Sequence, residues 1–369
     1  MPAEFIYSSI FGELTRRVQI RFDKISEYNK KVFDNILYET YLDWDLPSVG
    51  LNFEEIIGRY NITIAAPTIG DDSKEPIMGT EGLQTLAERI VRHAVTLPMS
   101  IQDYRKVLQI LDSKSLSDAT KAKQLTELMW GNVLAVVNAI HAKIDLIFLG
   151  ALSNEGKFTL DADNNPEGGV RGIIDYRQPA ENIATSKTAW TADNLDTVDC
   201  FEDIQAILDA AQDKVILDKI LCAPSATSYM CRSKKIKQMI WGSDKSSRLV
   251  QLSDINAYMQ ENGFPTFEHI RRQIRIQSGT TTKPVTPWNA KNLVFVPAGK
   301  LGIIKNAYAN NELRQEAGVT YSNYGRIRVS QWGAGETQGS NGVEFTKAEV
   351  FALPVITEMN GIYTLKTQQ

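Results

Sequence analysis

Regularly spaced apolar residues predict one long helix, from about Ser115 to Leu152. They recur at steps of three and four, which places them on one stripe of a helix. These residues are Leu125, Met129, Val133, Val136, Val137, Ile140, Ile144 and Ile147. Ser115 is the predicted N-terminal cap, and Asp118 adds negative charge to the first turn. At roughly 1.5 Å per residue the helix is on the order of 50 Å long, which predicts that it braces an extended subunit.

A membrane span is the alternative for this helix, because the segment from Leu128 to Leu149 is apolar and about long enough to cross a bilayer. Polar residues interrupt the segment and make insertion costly. They are Asn132, Asn138, His141, Lys143 and Asp145. The pattern therefore favours a half-buried structural helix, and no membrane contact is expected.

The sequence before this helix predicts two extended parts, an N-terminal segment and a hairpin. From Met1 to Gly50 aromatic residues are frequent, which indicates either an arm that packs on another subunit or a helical cap on its own domain. Extended runs follow at Asn61–Ala66 and Arg89–Leu97, on either side of the polar, turn-rich Gly70–Pro76. This pattern predicts a long hairpin with a charged tip, which needs a neighbour for stability.

After the helix, the pattern alternates between strands and helices, which predicts an α+β protein with a helix-covered mixed sheet. The predicted helices, including a short one before the long helix, are Ile101–Leu111, Asp199–Asp213, Pro224–Trp241 and Ile255–Glu261. The predicted strands are Lys157–Leu160, Val215–Cys222, Phe267–Ile276, Asn292–Val296, Arg326–Trp332 and a late pair over Glu344–Tyr363 broken near Pro354 and Gly361.

Composition narrows the function classes. The 369 residues are 43% hydrophobic and 23% charged, as in a folded soluble protein. The net charge of −4 argues against a nucleic-acid binder with a basic surface, although weak DNA contact stays possible. The N-terminal residues lack the pattern of a signal peptide, so synthesis in the cytoplasm is expected. Cys200, Cys222 and Cys231 fit neither a disulfide framework nor a zinc site.

Motifs for catalysis or cofactor binding are weak. The acidic loop Asp161–Gly169 imitates a calcium loop but has Pro166 where that loop needs glycine. The segment around Gly299-Lys300 lacks the other residues of a phosphate loop. The histidines are His93, His141 and His269, and no spacing brings them together. No catalytic, cofactor or metal site is predicted, and Arg271, Arg272 and Arg275 are expected on a solvated or subunit-contacting strand face.

The order of these elements resembles the tailed-bacteriophage major capsid proteins of the lambda-type major capsid protein E family. Two segments carry the resemblance, Lys219-Ile220-Leu221-Cys222-Ala223-Pro224-Ser225-Ala226 and the run from Thr286 to Gly302. The second run contains a tryptophan turn at Trp288, an apolar strand, and a Pro-x-Gly-x-Leu-Gly exit that ends at Gly302.

The resemblance implies the Hong Kong 97-type capsid fold. Its parts would be an N-terminal arm (1–50), an extended E-loop hairpin (51–98), a peripheral domain with the spine helix (99–169), an axial domain (170–324) and C-terminal strands that return to the peripheral domain (325–369). The protein would assemble as hexamers and pentamers into an icosahedral shell around double-stranded DNA. Portal, scaffold and decoration proteins are the further partners that the resemblance implies.

Tentative subunit-interface residues follow from this assignment. They are Gly70, Asp71, Asp72, Lys74, Arg271 and Arg272. Lys74 at the loop tip could form a covalent cross-link as in some relatives, or it could be an ordinary solvated lysine. An encapsulin-like compartment with the same fold is the near alternative for the function, and an unrecognised hydrolase is the distant one.

Overall fold

In the parts of the chain that it describes, the computed structural model of the protein contains 17 strands and the eight α-helices named α1 to α8 below. It describes residues 16–23, 36–57, 84–99, 101–168, 170–242, 248–334 and 343–368. The helices are α1 (Tyr38–Tyr41), α2 (Ile101–Asp112), α3 (Asp118–Ser153), α4 (Cys200–Ala211), α5 (Pro224–Arg232), α6 (Lys234–Trp241), α7 (Leu252–Glu261) and α8 (Asn310–Leu313). Residues 16–23 are helical as well.

The long helix predicted from the sequence is α3, called the spine helix below, and it is unbroken over 36 residues. Its N-terminal cap is Ser117, whose side chain accepts a hydrogen bond from the Thr120 amide, so the predicted cap at Ser115 is wrong by two residues. The helix passes the length and composition test for a membrane span, but 67% of its most apolar window is buried inside the subunit. That burial is typical of a core helix.

Gly131 lies on an exposed turn of the spine helix, and a Cβ added there would meet no atom within 4 Å. Alanine restricts the unfolded chain and favours helix, so we expect Gly131→Ala to raise the free energy of unfolding by about 0.5–1 kcal/mol. Chemical denaturation of the two proteins measures the difference. A destabilised variant would mean that this turn is not helical in solution.

The larger sheet has six strands and lies against the spine helix. Its order is β1-β13-β16-β15-β14, with β4 also paired to β16. The bounds are β1 (Leu42–Trp44), β4 (Arg92–Pro98), β13 (Gly302–Ala307), β14 (Thr320–Tyr324), β15 (Ile327–Ala334) and β16 (Val343–Ile356). Spine-helix residues and the inner face of this sheet form the main hydrophobic core.

The hairpin before the spine helix differs from the predicted one. Its described strands are β2 (Asn52–Ile57) and β3 (Gln84–Arg89), which pair antiparallel. The predicted strand Arg89–Leu97 corresponds to β4, which pairs with β16 in the sheet rather than within the hairpin. The other predicted strand, Asn61–Ala66, and the tip Gly70–Pro76 lie outside the described residues.

The smaller sheet is mixed, as predicted, and has five strands in the order β7-β17-β12-β8-β9. Its bounds are β7 (Ile183–Thr185), β8 (Leu217–Cys222), β9 (Thr266–His269), β12 (Asn292–Pro297) and β17 (Tyr363–Lys366). Residues of α4 to α7 pack on it in a second core. Two hairpins complete the described strands, β5 (Lys157–Leu160) with β6 (Gly172–Asp175) and β10 (Ile274–Ser278) with β11 (Thr281–Val285).

Three predicted elements have different bounds. The predicted helix Pro224–Trp241 is two helices, because the extended Ser233 separates α5 from α6. The predicted strand Phe267–Ile276 is likewise divided into β9 and β10. Strand β16 continues through Pro354, where a break was predicted. The Ala352 amide donates to Val91, at the start of β4. The nitrogen of Pro354, two residues further along, faces the same side of β16 but lies beyond the N-terminal end of β4. The missing N–H of the proline therefore removes no hydrogen bond between the strands.

The strand pairing also differs from the predicted division of the chain. Strands β13 and β14 precede residue 325 but belong to the six-stranded sheet, and β17 follows it but belongs to the five-stranded sheet. The chain therefore crosses between the sheets several times. One of these crossings is the short turn between β12 and β13, which lie in different sheets.

Candidate assembly surfaces

The interface residues predicted from the sequence separate into three groups. Gly70, Asp71, Asp72 and Lys74 lie outside the described residues. Arg271 is exposed, and its guanidinium is 3.0 Å from Nδ1 of His269. Its neighbour Arg272 is 7% exposed, so the surface position predicted for it is wrong.

Arg272 lies in a buried ion pair with the spine helix. Its Nε is 2.9 Å from Oδ2 of Asp145, which is fully buried. The other carboxylate oxygen of Asp145 accepts hydrogen bonds from the amides of Leu37 and Tyr38, at 3.2 and 2.8 Å. Asp145 thereby caps α1, whose own N-cap residue Leu37 has no side-chain hydrogen bond.

The same region contains a hydrogen bond between two buried rings. The Tyr38 hydroxyl and Nδ1 of His141 are 2.8 Å apart and share this bond, with His141 one turn before Asp145 on the spine helix. Burial lowers the pKa of His141 to about 3, so its imidazole is neutral. Burial also raises the pKa of Asp145 to about 6, and this outweighs the opposing effects of Arg272 and the two amides. Tyr38, His141, Asp145 and Arg272 are called the "arm junction" below. They join the arm, the spine helix and the segment between β9 and β10, which lie far apart in the chain.

A second junction lies at the edge of the large sheet. Lys305 of β13 pairs with Asp45, just after β1, and with Glu55 of β2, each at 2.6 Å. A bridge between Ser48 and Ala307 continues this contact. Lys305 therefore links the arm segment and the base of the hairpin to the sheet edge, in addition to the backbone pairing of β1 with β13.

Beside this junction the surface is apolar. Leu46 and Val49 are 79% and 73% exposed, and Tyr308, whose amide donates to the Ser48 carbonyl oxygen, is also exposed. Several exposed apolar side chains on one edge are typical of a protein interaction surface. The sequence analysis did not predict this "edge patch", because it assigned all residues from Met1 to Gly50 to an arm or a helical cap on the basis of their aromatic residues.

The residues considered for chemistry have structural partners. In the loop after β5, Oδ1 of Asp161 accepts hydrogen bonds from the amides of Asp163 and Asn164, a turn rather than an ion site. Within the described ranges no group of three or more acidic, histidine or cysteine residues could hold a metal ion. His269 shares a hydrogen bond with the Thr227 hydroxyl, whereas His141 shares one with the Tyr38 hydroxyl. These two histidines therefore have separate partners.

An α+β subunit with a long spine helix, a two-stranded hairpin before it and a helix-covered second sheet has the architecture of the Hong Kong 97-type capsid fold. A family model described as phage major capsid protein E matches residues 66–367. The chain belongs to that family, which confirms the resemblance carried by its two sequence segments. Its members are structural proteins, not enzymes, and the chain is a shell-forming subunit of a virion capsid.

Three solved structures are similar to this chain at low sequence identity, and the first of them shares its fold. A protein described as a candidate prophage capsid protein of Escherichia coli CFT073 is 14% identical, with a TM-score of 0.59 over 95% of this chain and 98% of that chain. A phage-related protein of Bordetella bronchiseptica RB50 is 10% identical, with a TM-score of 0.49 over 95% and 96% of the two chains. An encapsulin complex of Synechococcus elongatus has a TM-score of 0.36 at 9% identity, over 94% of each chain. No curated protein sequence matches significantly.

Proposed function

We propose that this chain forms the icosahedral head shell of a tailed phage, as hexamers and pentamers that enclose packaged double-stranded DNA. The observation that carries the proposal is the match of the phage major capsid protein E family model to residues 66–367. The family match favours a phage shell over an encapsulin-like compartment.

The first three proposed parts follow the expectation from the sequence, with residues 1–50 as the arm, 51–98 as the E-loop and 99–169 as the peripheral domain. The axial domain was expected over 170–324 and the returning strands over 325–369. The sheet pairing supports a different division, in which the axial domain ends near Pro297 and includes β17. Subunit contacts would involve Gly70, Asp71, Asp72 and Lys74 in the E-loop and Arg271 on the surface.

The proposed partners include portal, scaffold and decoration proteins. The chain would be made in the host cytoplasm and contact DNA weakly and without sequence preference. Its net charge of −4 supports this, since a basic inner wall would grip phosphates and impede packaging.

Deleting residues 70–76 tests the E-loop assignment. We expect the deletion to abolish or strongly weaken assembly while leaving the folded subunit intact, because the described hairpin strands on either side remain paired. Electron microscopy and sedimentation velocity measure assembly, and circular dichroism measures folding. Unfolding of the deletion variant would contradict the assignment to a projecting loop. A wild-type protein that stays monomeric at high concentration would contradict the shell itself.

A further inference from the structure

Strand β14 lies at an edge of the large sheet, since β15 is its one partner among the described strands. Its register with β15 is continuous, with Ser322 opposite Val329 and Asn323 opposite Arg328. An edge strand offers one side of its backbone to any other extended chain, and proteins commonly block such edges with charged residues, proline or a β-bulge. The five residues of β14 include none of these devices. Protection of this edge therefore has to come from another part of the subunit.

Gln19, on the helix of residues 16–23 (the "arm helix" below), bonds the outer edge of β14 as a neighbouring strand would. Its Oε1 accepts a hydrogen bond from the Asn323 amide at 2.8 Å, and its Nε2 donates to the Asn323 carbonyl oxygen at 3.0 Å. Two residues of a hydrogen-bonded antiparallel pair exchange the same two bonds. Nε2 also donates to Oδ1 of Asp23 at 2.9 Å, and this carboxylate fixes the orientation of the amide because it would repel the amide oxygen.

Apolar and ionic contacts hold the arm helix over this edge. The ring of the buried Phe22 lies 5.1 Å from the ring of Trp130 on the spine helix and 5.4 Å from that of Tyr324 on β14, measured between centroids. Tyr324 in turn meets the histidine ring of the arm junction edge-on, at 5.7 Å. Arg21 pairs with Glu127 of the spine helix. These contacts place the Gln19 amide at the edge of the sheet.

The backbone alternation of β14 defines which strand would fit this edge. Both backbone groups of Asn323 face away from β15, so those of Tyr321, two residues before, face outward as well. A second β14 running antiparallel would place each Tyr321 opposite Asn323 of the other copy, and Ser322 opposite Ser322. The edge is therefore self-complementary about a two-fold axis at Ser322.

Ser322 supplies an independent observation. Its side chain is 3% exposed, and its hydroxyl has no hydrogen-bond partner among the described residues. A buried polar group without a partner is costly. In a pair centred on Ser322 the two Cα atoms would lie about 4.5 Å apart, and the two hydroxyls could bond each other, as serine and threonine pairs do across strands.

We propose that Gln19 is an edge guard, whose side-chain amide takes the place of a neighbouring strand and keeps β14 from pairing antiparallel with β14 of a second copy of the chain. The arm helix and a second strand need the same two backbone groups of Asn323, so the two states exclude each other. A second copy is the occupant because the outward groups and Ser322 complement themselves. The guard acts on the single subunit, so this inference goes beyond the proposed shell and does not depend on it.

A cross-linking experiment on the full chain tests the guard. Ser322→Cys is combined with Cys231→Ala, which removes the one native cysteine that is not buried. A Cα separation of about 4.5 Å lies within the range of a disulfide. After mild oxidation, the chain with Gln19→Met should give at least about tenfold more disulfide-linked dimer than the chain with Gln19, because methionine keeps the length of the side chain but makes neither hydrogen bond. Electrophoresis without reductant measures the dimer.

Two further variants separate the amide from general damage to the arm helix. Arg17→Met is the matched control, since it places a methionine at an exposed position of the same helix and leaves Gln19 in place, and it should cross-link as little as the chain with Gln19 alone. Gln19→Glu is milder, because its carboxylate can accept from the Asn323 amide but has no hydrogen to donate to the carbonyl oxygen. It should give an intermediate yield of dimer. Circular dichroism checks that each variant is folded.

Three results would overturn the guard. The first is a folded Gln19→Met or Gln19→Glu chain that cross-links no more than the chain with Gln19. The second is an equal yield from Arg17→Met, which would mean that an added methionine is enough. The third is a dimer that sedimentation velocity detects in the Gln19→Met chain but that lacks the disulfide at position 322, because such a dimer would use a different surface.

Discussion

Replacing Arg272 by methionine is expected to lower the free energy of unfolding by about 3–5 kcal/mol near neutral pH. The substitution keeps the length of the apolar stem but leaves the Asp145 carboxylate buried without its cation. Two amide hydrogen bonds from Leu37 and Tyr38 remain, and they are too few to offset the cost of a buried charge. Denaturant titration followed by circular dichroism measures the loss.

The sign of the pH dependence is part of this prediction. The pKa of Asp145, about 6 in the folded wild type, already lies above its ordinary value of 3.8, and it should rise further without Arg272. A raised carboxyl pKa gives stability that is present below the unfolded pKa and is lost as the pH rises through the folded pKa. The deficit of Arg272→Met should therefore shrink as the pH falls from the higher pKa of the variant toward about 6, by up to about 1.4 kcal/mol per pH unit, and stay nearly constant below 6, where both proteins take up the proton.

Two further variants separate the ion pair from general damage. Arg271→Met changes the exposed neighbour and should alter stability by no more than about 0.5 kcal/mol. Adding Asp145→Asn to Arg272→Met removes the unpaired charge while an amide oxygen can still accept from the two backbone amides, so most of the stability should return. Equal losses at Arg271 and Arg272, or no recovery in the double variant, would contradict a buried ion pair.

The spine helix shows what the sequence could predict. Its apolar stripe determined the existence and the C-terminal end of the helix, because period and length both exclude a strand. The cap was misplaced because Ser115 and Ser117 are chemically equal capping residues. The choice between them depends on which serine meets the Thr120 amide, and that is a property of the folded turn.

Long-range partners could not be predicted in the same way. The sequence predicted an extended segment at Arg89–Leu97, which overlaps β4, but its partner β16 lies far along the chain. Asp145 was noted only as a polar interruption of an apolar helix. It meets Arg272 because the chain bends between β9 and β10, and nothing in the local pattern of the predicted strand indicates that bend.

The candidate surfaces were predictable only in part. Family resemblance indicated the E-loop tip, and the predicted strand face indicated Arg271 and Arg272. Of these two arginines only Arg271 lies at the described surface. The edge patch is formed by residues from segments that are far apart in the chain, so no local pattern could indicate it.

Gly302 closes the Pro-x-Gly-x-Leu-Gly run, and we expect Gly302→Ala to destabilise the protein by about 3 kcal/mol or more, at or above the usual range for overpacking. Gly302 lies between β1 and β16, opposite Leu42 on one side and Ile356 on the other. A Cβ there would overlap the carbonyl oxygen of Val355 and lie 2.9 Å from Cα of Ile356. Both obstacles are backbone atoms, so they cannot rotate away and β13 and β16 must separate locally.

Gly50→Ala is the matched control, since a Cβ at Gly50 would meet no atom within 4 Å, and its effect should stay within about 0.5 kcal/mol. Denaturant titrations of both variants give the comparison. We also expect Gly302→Ala to weaken assembly, because β13 carries Lys305, which holds Asp45 and Glu55 at the edge of the sheet. If Gly302→Ala were as stable as Gly50→Ala, the close approach of β13 to β16 would be wrong, and the glycine in this run would need an explanation outside the folded subunit.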